Sequence, residues 1–179
     1  MQLDKACIAQ AIANRPHNGA RLFINMLPQT IINMYKTKEL AKVIEQKDCK
    51  VVIEVTETQK QYSVPMLKEA LAWAKDKGAL IAVDDLFNGY DRLQTVSLLT
   101  PDFIKITAPR ADYSQRSYRA TIIGILALAR ELGSLVIAEK VEDQRVYDYL
   151  SKLGIELFQG FYFARPGALY GTQADKQQS

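Results

Sequence analysis

The sequence predicts an α/β fold of parallel strands, a (β/α)8 TIM-barrel-like domain with six strands in place of eight and so an incomplete barrel. Short apolar runs recur at residues 22–24, 51–53, 80–83, 103–104, 135–137 and 157–158, each ending in a polar or charged residue. These runs show no polar alternation, the mark of parallel strands covered on both faces. Most are followed by a stretch with helical spacing, and strands alternating with helices imply parallel pairing through right-handed crossovers.

The elements follow in order. Residues 4–14 read as the end of a helix that stops before Pro16. The run 22–24 ends at Asn25, and residues 29–46 carry Ile31, Ile32, Tyr35, Leu40, Val43 and Ile44 at broadly helical spacing. The β-branched run 51–53 meets Glu54, with Thr56 and Glu57 beyond. The clearest helix spans 65–77: Pro65 in its first turn, Leu67, Ala70, Leu71 and Ala74 on one face, Gly78 as the stop. The next runs meet Asp84-Asp85 and then Lys105. A helix over 121–132 turns Ile122, Ile125, Leu126 and Ala129 inward and ends at Gly133. The run 135–137 leads to Glu139, a helix over 143–153 ends at Gly154, and Leu157-Phe158 leads to Gln159-Gly160. One domain is expected over 1–170, with 171–179 a disordered polar tail.

Composition narrows the function. The chain has 179 residues, enough for one domain with a sizeable core. Lys plus Arg number 23 against 20 Asp plus Glu, a net +3 that argues against a dedicated DNA binder. His17 is the single histidine, which disfavours a His-based zinc site or a Ser-His-Asp triad. Cys7 and Cys49 read as reduced thiols of a cytoplasmic protein, and no membrane span or leader is expected. Tyr113, Tyr118, Tyr147 and Tyr149, with Arg116, Arg119 and Arg145, read as half-buried helix surface, and Trp73 as packing.

In a barrel, polar groups at strand carboxyl ends converge on one mouth. Asn25, Glu54, Asp84, Asp85, Lys105, Glu139 and Gln159 would then share a pocket. Taken alone, Asp84-Asp85 suits either a divalent cation or an Asp-rich turn capping the next helix. The wider set of oxygen donors suits Mg2+ or Mn2+ rather than zinc or copper. Lys105 would orient a water or offset charge, Glu139 could accept its proton, and Gln159 could bind a phosphate or a base edge. That is the chemistry of metal-dependent phosphodiester hydrolysis.

The motifs resemble those of the EAL-domain cyclic di-GMP phosphodiesterases. Phe23-Ile24-Asn25 is similar to that family's third strand, and Glu54-Val55-Thr56-Glu57 to its Glu-Leu-Thr-Glu element. Asp84-Asp85 with Gly89-Tyr90 is similar to its Asp-Asp-Phe-Gly loop, and Ile104-Lys105-Ile106 to its Lys-Ile-Asp. Ala138-Glu139-Lys140-Val141-Glu142 is similar to Ala-Glu-Gly-Val-Glu, and Gln159-Gly160-Phe161 with Arg165-Pro166 to the closing Gln-Gly-Tyr segment. The resemblance implies that Asn25, Glu54 and Asp84 bind one metal and Asp85 a second. It implies that Lys105 and Glu139 handle the attacking water and that Gln159 holds substrate. Glu57 would brace the loop after Asp85, and Glu142 would belong to the same rim.

The departures bear on activity. The family's Glu-Ala-Leu glutamate lies on an earlier strand that is not expected here. Glu69-Ala70-Leu71 sits mid-helix with Leu71 inward and Glu69 outward, so it is not that motif. Thr107 stands where the family has an aspartate, Leu86-Phe87-Asn88 where Phe-Gly-Thr is usual, and Lys140 where it has a glycine. The sequence therefore favours an EAL-type cyclic di-GMP signalling domain with a weakened or lost active site, binding the nucleotide or a protein partner. The alternatives are an active phosphodiesterase producing linear pGpG and a purely structural interaction domain. Apolar side chains on the open face would favour a homo-oligomer or another protein partner.

Overall fold

The computed structural model describes residues 2–16, 19–56, 62–84, 96–109 and 116–167. Helix α1 (Gln2–Ala13) precedes β1 (Arg21–Met26), α2 (Pro28–Lys36), α3 (Glu39–Ile44) and β2 (Lys50–Val55). Then come α4 (Val64–Asp76), β3 (Leu80–Val83), β4 (Phe103–Thr107) and α5 (Arg116–Leu132). The chain continues through β5 (Leu135–Glu139), α6 (Gln144–Lys152) and β6 (Leu157–Phe158). All six strands pair in parallel in the order β1-β2-β3-β4-β5-β6, a half-barrel. The expected incomplete barrel is what forms.

The strands separate two layers. On the convex side, Ile24, Ile53, Ile81, Ile104 and Val136 meet Leu67, Leu71 and Ile122 from the helices in one continuous core. The concave side holds a smaller cluster of Val52, Ala82, Phe103 and Ile137, flanked by Leu80 and Leu157. β1 alternates strictly between the two, with Leu22, Ile24 and Met26 buried and Arg21, Phe23 and Asn25 exposed. Residues two apart share a face, so Asn25 and Phe23 look onto the concave side together.

Helix boundaries have local causes. Ser63 caps α4 by accepting the Met66 N–H at 3.5 Å, and Asp143 caps α6 by accepting the Val146 N–H at 2.9 Å; each such cap is worth about 1 kcal/mol. Within α4, Leu71 is buried and Glu69 exposed, with Glu69 accepting from the Tyr35 hydroxyl at 2.9 Å. The Glu-Ala-Leu tripeptide is thus a helix-surface feature. Trp73 packs against Tyr35 at 5.6 Å between ring centroids.

One expectation is corrected. The helix expected over 29–46 breaks into α2 and α3 at Thr37 and Lys38. The Thr37 hydroxyl donates to the Asn33 carbonyl at 3.1 Å, and Lys38 takes a left-handed φ of 62°. A side chain bonding back to the preceding turn competes with helix propagation, and the break lets Leu40, Val43 and Ile44 reach the core. Tyr118, Tyr147 and Tyr149 pack half-buried on the core, while Arg116, Arg119 and Arg145 are exposed. His17, Tyr113 and the tail 171–179 lie outside the described residues.

Candidate metal centre at the strand ends

The register builds the site. Asn25 pairs with Glu54, Glu54 with Ala82, and Thr107 with Glu139, so these concave positions line up near the carboxyl ends of neighbouring strands. Asp84 follows the end of β3, held by its N–H to the Val55 carbonyl at 3.4 Å. Gln159 follows β6, its N–H donating to the Ala138 carbonyl at 2.8 Å and its carbonyl accepting the Val141 N–H at 3.1 Å. Gly160 makes that approach possible: a Cβ there would lie 2.1 Å from the Val141 carbonyl oxygen.

At the centre lies an ion network. The Lys105 Nζ is 2.5 Å from Glu54 Oε1 and 2.5 Å from Glu139 Oε1. Lys105 and Glu54 are each only 4% exposed. The apolar run before Lys105 suggested a strand-end lysine; β4 instead continues to Thr107, and Lys105 sits mid-strand on the concave face. Its long side chain brings the ammonium to the carboxylates, 5.8 Å from the centre of the Phe23 ring. Pairing with buried Glu54 and half-buried Glu139 spares the buried Lys105 ammonium the several kcal/mol that an unpaired buried charge costs.

This geometry sets the protonation states. Burial works to lower the Lys105 pKa, but hydrogen bonds to Glu139 and Glu54 outweigh it and hold the ammonium above its ordinary range. Lys105 is therefore charged at neutral pH. Burial holds the Glu139 carboxyl above the ordinary carboxylate range; Lys105 pulls the other way, while the charges of Asp84 and Glu54 add to the rise.

The donor chemistry fits a divalent cation. Carboxylate oxygens of Glu54, Asp84 and Glu139 all lie within 4.8 Å of one another. With the neighbouring Asn25 amide, the set is oxygen only, as hard cations prefer. So Glu54, Asp84, Lys105 and Glu139 come together, with Asn25 beside them and Gln159 exposed at the rim. Glu142 is exposed beyond Val141, and Asp85 and Glu57 lie outside the described residues.

Two neighbours escaped the sequence reading. The Thr56 hydroxyl donates to Asn25 Oδ1 at 2.8 Å, and Phe23 packs on Phe103 at 5.6 Å beneath Lys105. The signal for both was the period of two: Thr56 is two residues beyond Glu54, and Phe23 two before Asn25. Lys140 adopts φ 56°, the left-handed region that glycine occupies without penalty.

A parallel α/β half-barrel with oxygen donors clustered near its strand carboxyl ends defines a barrel-type domain whose mouth gathers carboxylates. The EAL domain family matches residues 2–166, and the chain belongs to that family. A probable cyclic di-GMP phosphodiesterase of Escherichia coli K12, PdeG, is 32% identical over 162 residues, covering 87% of this chain and 32% of that protein. The crystal structure of Bacillus subtilis YkuI, an EAL-domain protein in complex with substrate cyclic di-GMP and calcium, matches with a TM-score of 0.80 and 27% identity. That match covers 96% of this chain and 45% of YkuI. Klebsiella pneumoniae BlrP1, in a manganese and cyclic di-GMP complex, matches with a TM-score of 0.66 and 28% identity over 92% of this chain and 43% of that one. The chain spans about a third of the length of PdeG, 32%. No helix among the described residues is long and apolar enough to cross a membrane.

Proposed function

We propose that this chain is an EAL-type signalling domain that binds cyclic di-GMP at the carboxyl-end mouth of its half-barrel, with weakened or lost hydrolysis. The observation that carries this reading is the cluster of buried Glu54 with half-buried Asp84 and Glu139 around Lys105. By the family resemblance Asn25, Glu54 and Asp84 would hold one Mg2+ or Mn2+ and Asp85 a second. When bound, such a cation polarises a phosphoryl oxygen and lowers the pKa of a water.

The protein's own groups divide the remaining work. Lys105, held charged, offsets the negative charge of a phosphodiester and orients the carboxylates; it cannot serve as a base. Glu139, its carboxyl held above the ordinary carboxylate range by burial and in contact with Lys105, is the candidate proton acceptor. Gln159 offers donor and acceptor atoms at the rim, and by the family resemblance Glu57 would brace the loop after Asp85 and Glu142 would belong to the same rim. Three features weaken catalysis. Lys105 engages both Glu54 and Glu139, Thr107 supplies no carboxylate beside Glu139, and Lys140 adds a cation next to the proposed base. The convergence of Glu54, Asp84 and Glu139 on Lys105 also fits a second reading, an active phosphodiesterase.

The concave face leaves Phe23 36% and Leu135 48% exposed, and a second copy covering it would remove that apolar area from water. Light scattering showing only a monomer would overturn this oligomer.

The deciding experiment measures turnover of cyclic di-GMP with Mg2+ or Mn2+ alongside calorimetric binding of the same nucleotide. Binding with little or no turnover is expected. Efficient metal-dependent turnover abolished by Glu54→Ala would establish the active enzyme instead. Neither binding nor turnover would overturn the nucleotide reading and leave a protein-interaction role.

A further inference from the structure

We infer that Thr56 is a positioning residue that fixes the Asn25 carboxamide at the mouth of the half-barrel. The inference rests on the cation-binding reading above and assigns a residue that reading does not use. Asn25 is the last concave residue of β1 and is exposed, so burial alone does not fix its amide. An exposed side chain must be ordered before it can ligate, and that ordering is subtracted from affinity.

Thr56 makes two contacts across the ends of β1 and β2. Its backbone N–H donates to the Met26 carbonyl at 3.3 Å, which ties the chain just past β2 to the last residue of β1. Its hydroxyl then donates to Asn25 Oδ1 at 2.8 Å. With the backbone tied, the hydroxyl approaches from a fixed direction and the amide plane is set. Oδ1 keeps a second lone pair for a cation beside Glu54, its partner in the strand register. Hydrogen bonds that orient ligands in this way are commonly worth about tenfold or more in metal affinity.

Thr56→Val keeps the shape of the side chain and removes the donor; Thr56→Ser keeps the donor. Mn2+ affinity is measured by calorimetry, and the Asn25 side-chain amide is followed by 15N NMR without metal. Thr56→Val is expected to weaken Mn2+ binding about tenfold and to move the Asn25 amide signals toward those of an unrestrained asparagine, while Thr56→Ser matches the parent in both. Adding Asn25→Ala to Thr56→Val should weaken Mn2+ no further than Asn25→Ala alone. Unchanged Asn25 signals in Thr56→Val would overturn the proposal whatever the cation does. Loosened Asn25 signals with no Mn2+ bound by the parent would uphold the positioning role and overturn the cation reading instead.

Discussion

The two faces of the sheet are built on opposite principles. The strand residues of the convex face are apolar, covered by helices, and stabilised chiefly by burial. The concave face has a thin apolar floor of Val52, Ala82, Phe103 and Ile137, with an ion network above it and partly exposed Phe23 and Leu135 at its margins. One face carries the fold and the other carries the chemistry. The same strands serve both because their side chains alternate with a period of two.

The sharpest way to break this division is Lys105→Met. It leaves Glu54 and Glu139 facing each other with no buried cation, and is expected to cost about 4 kcal/mol, read as a lower urea midpoint at neutral pH. A midpoint near that of the parent would show that the network contributes nothing to folding. Next, Ile104→Ala on the convex face, where the side chain is fully buried, should cost about 3 kcal/mol. Phe23→Ala on the concave face should cost clearly less, since Phe23 is already 36% exposed. Equal losses from the two would erase the contrast between the faces.

A smaller change should move the other way. Lys140 holds φ 56° without the freedom of glycine, so Lys140→Gly should raise stability by about 1 kcal/mol while removing a charge beside Glu139. A drop in the urea midpoint would show that the lysine side chain has a structural role. The smallest expected effect is a pH slope. Because burial raises the Glu139 pKa, the folded state binds that proton more tightly than the unfolded state. The contribution is complete below the ordinary carboxylate pKa and is lost as pH rises through the folded value. Urea midpoints from about pH 4 to about pH 8 should therefore fall with rising pH in the parent relative to Glu139→Gln. Parallel curves would contradict a raised pKa.

Much of the convex face was legible in the sequence because its signals are local. The apolar runs fall within the strands, and Pro65, Gly78, Asp143 and Gly154 mark the helix ends near them. Lys38 was not legible: a left-handed lysine carries no compositional mark, and the break at Thr37 depends on one side chain turning back to Asn33. On the concave face, the residue types at strand ends pointed to an oxygen-donor site, and Glu54, Asp84 and Glu139 do converge. The place of Lys105 was read one step short, since two polar-flanked apolar residues do not reveal how far a strand continues.

The sequence by itself determined the alternation of strands and helices, the residues that face the helices, and the donors that end each strand, because period and burial are properties of neighbouring residues. Only the tertiary structure decided that Lys105 bridges Glu54 to Glu139, that Thr56 reaches Asn25, and that Gly160 must pass against Val141. Those contacts join residues far apart in the chain. They depend on the register and curvature of the whole sheet, which every strand pairing sets together.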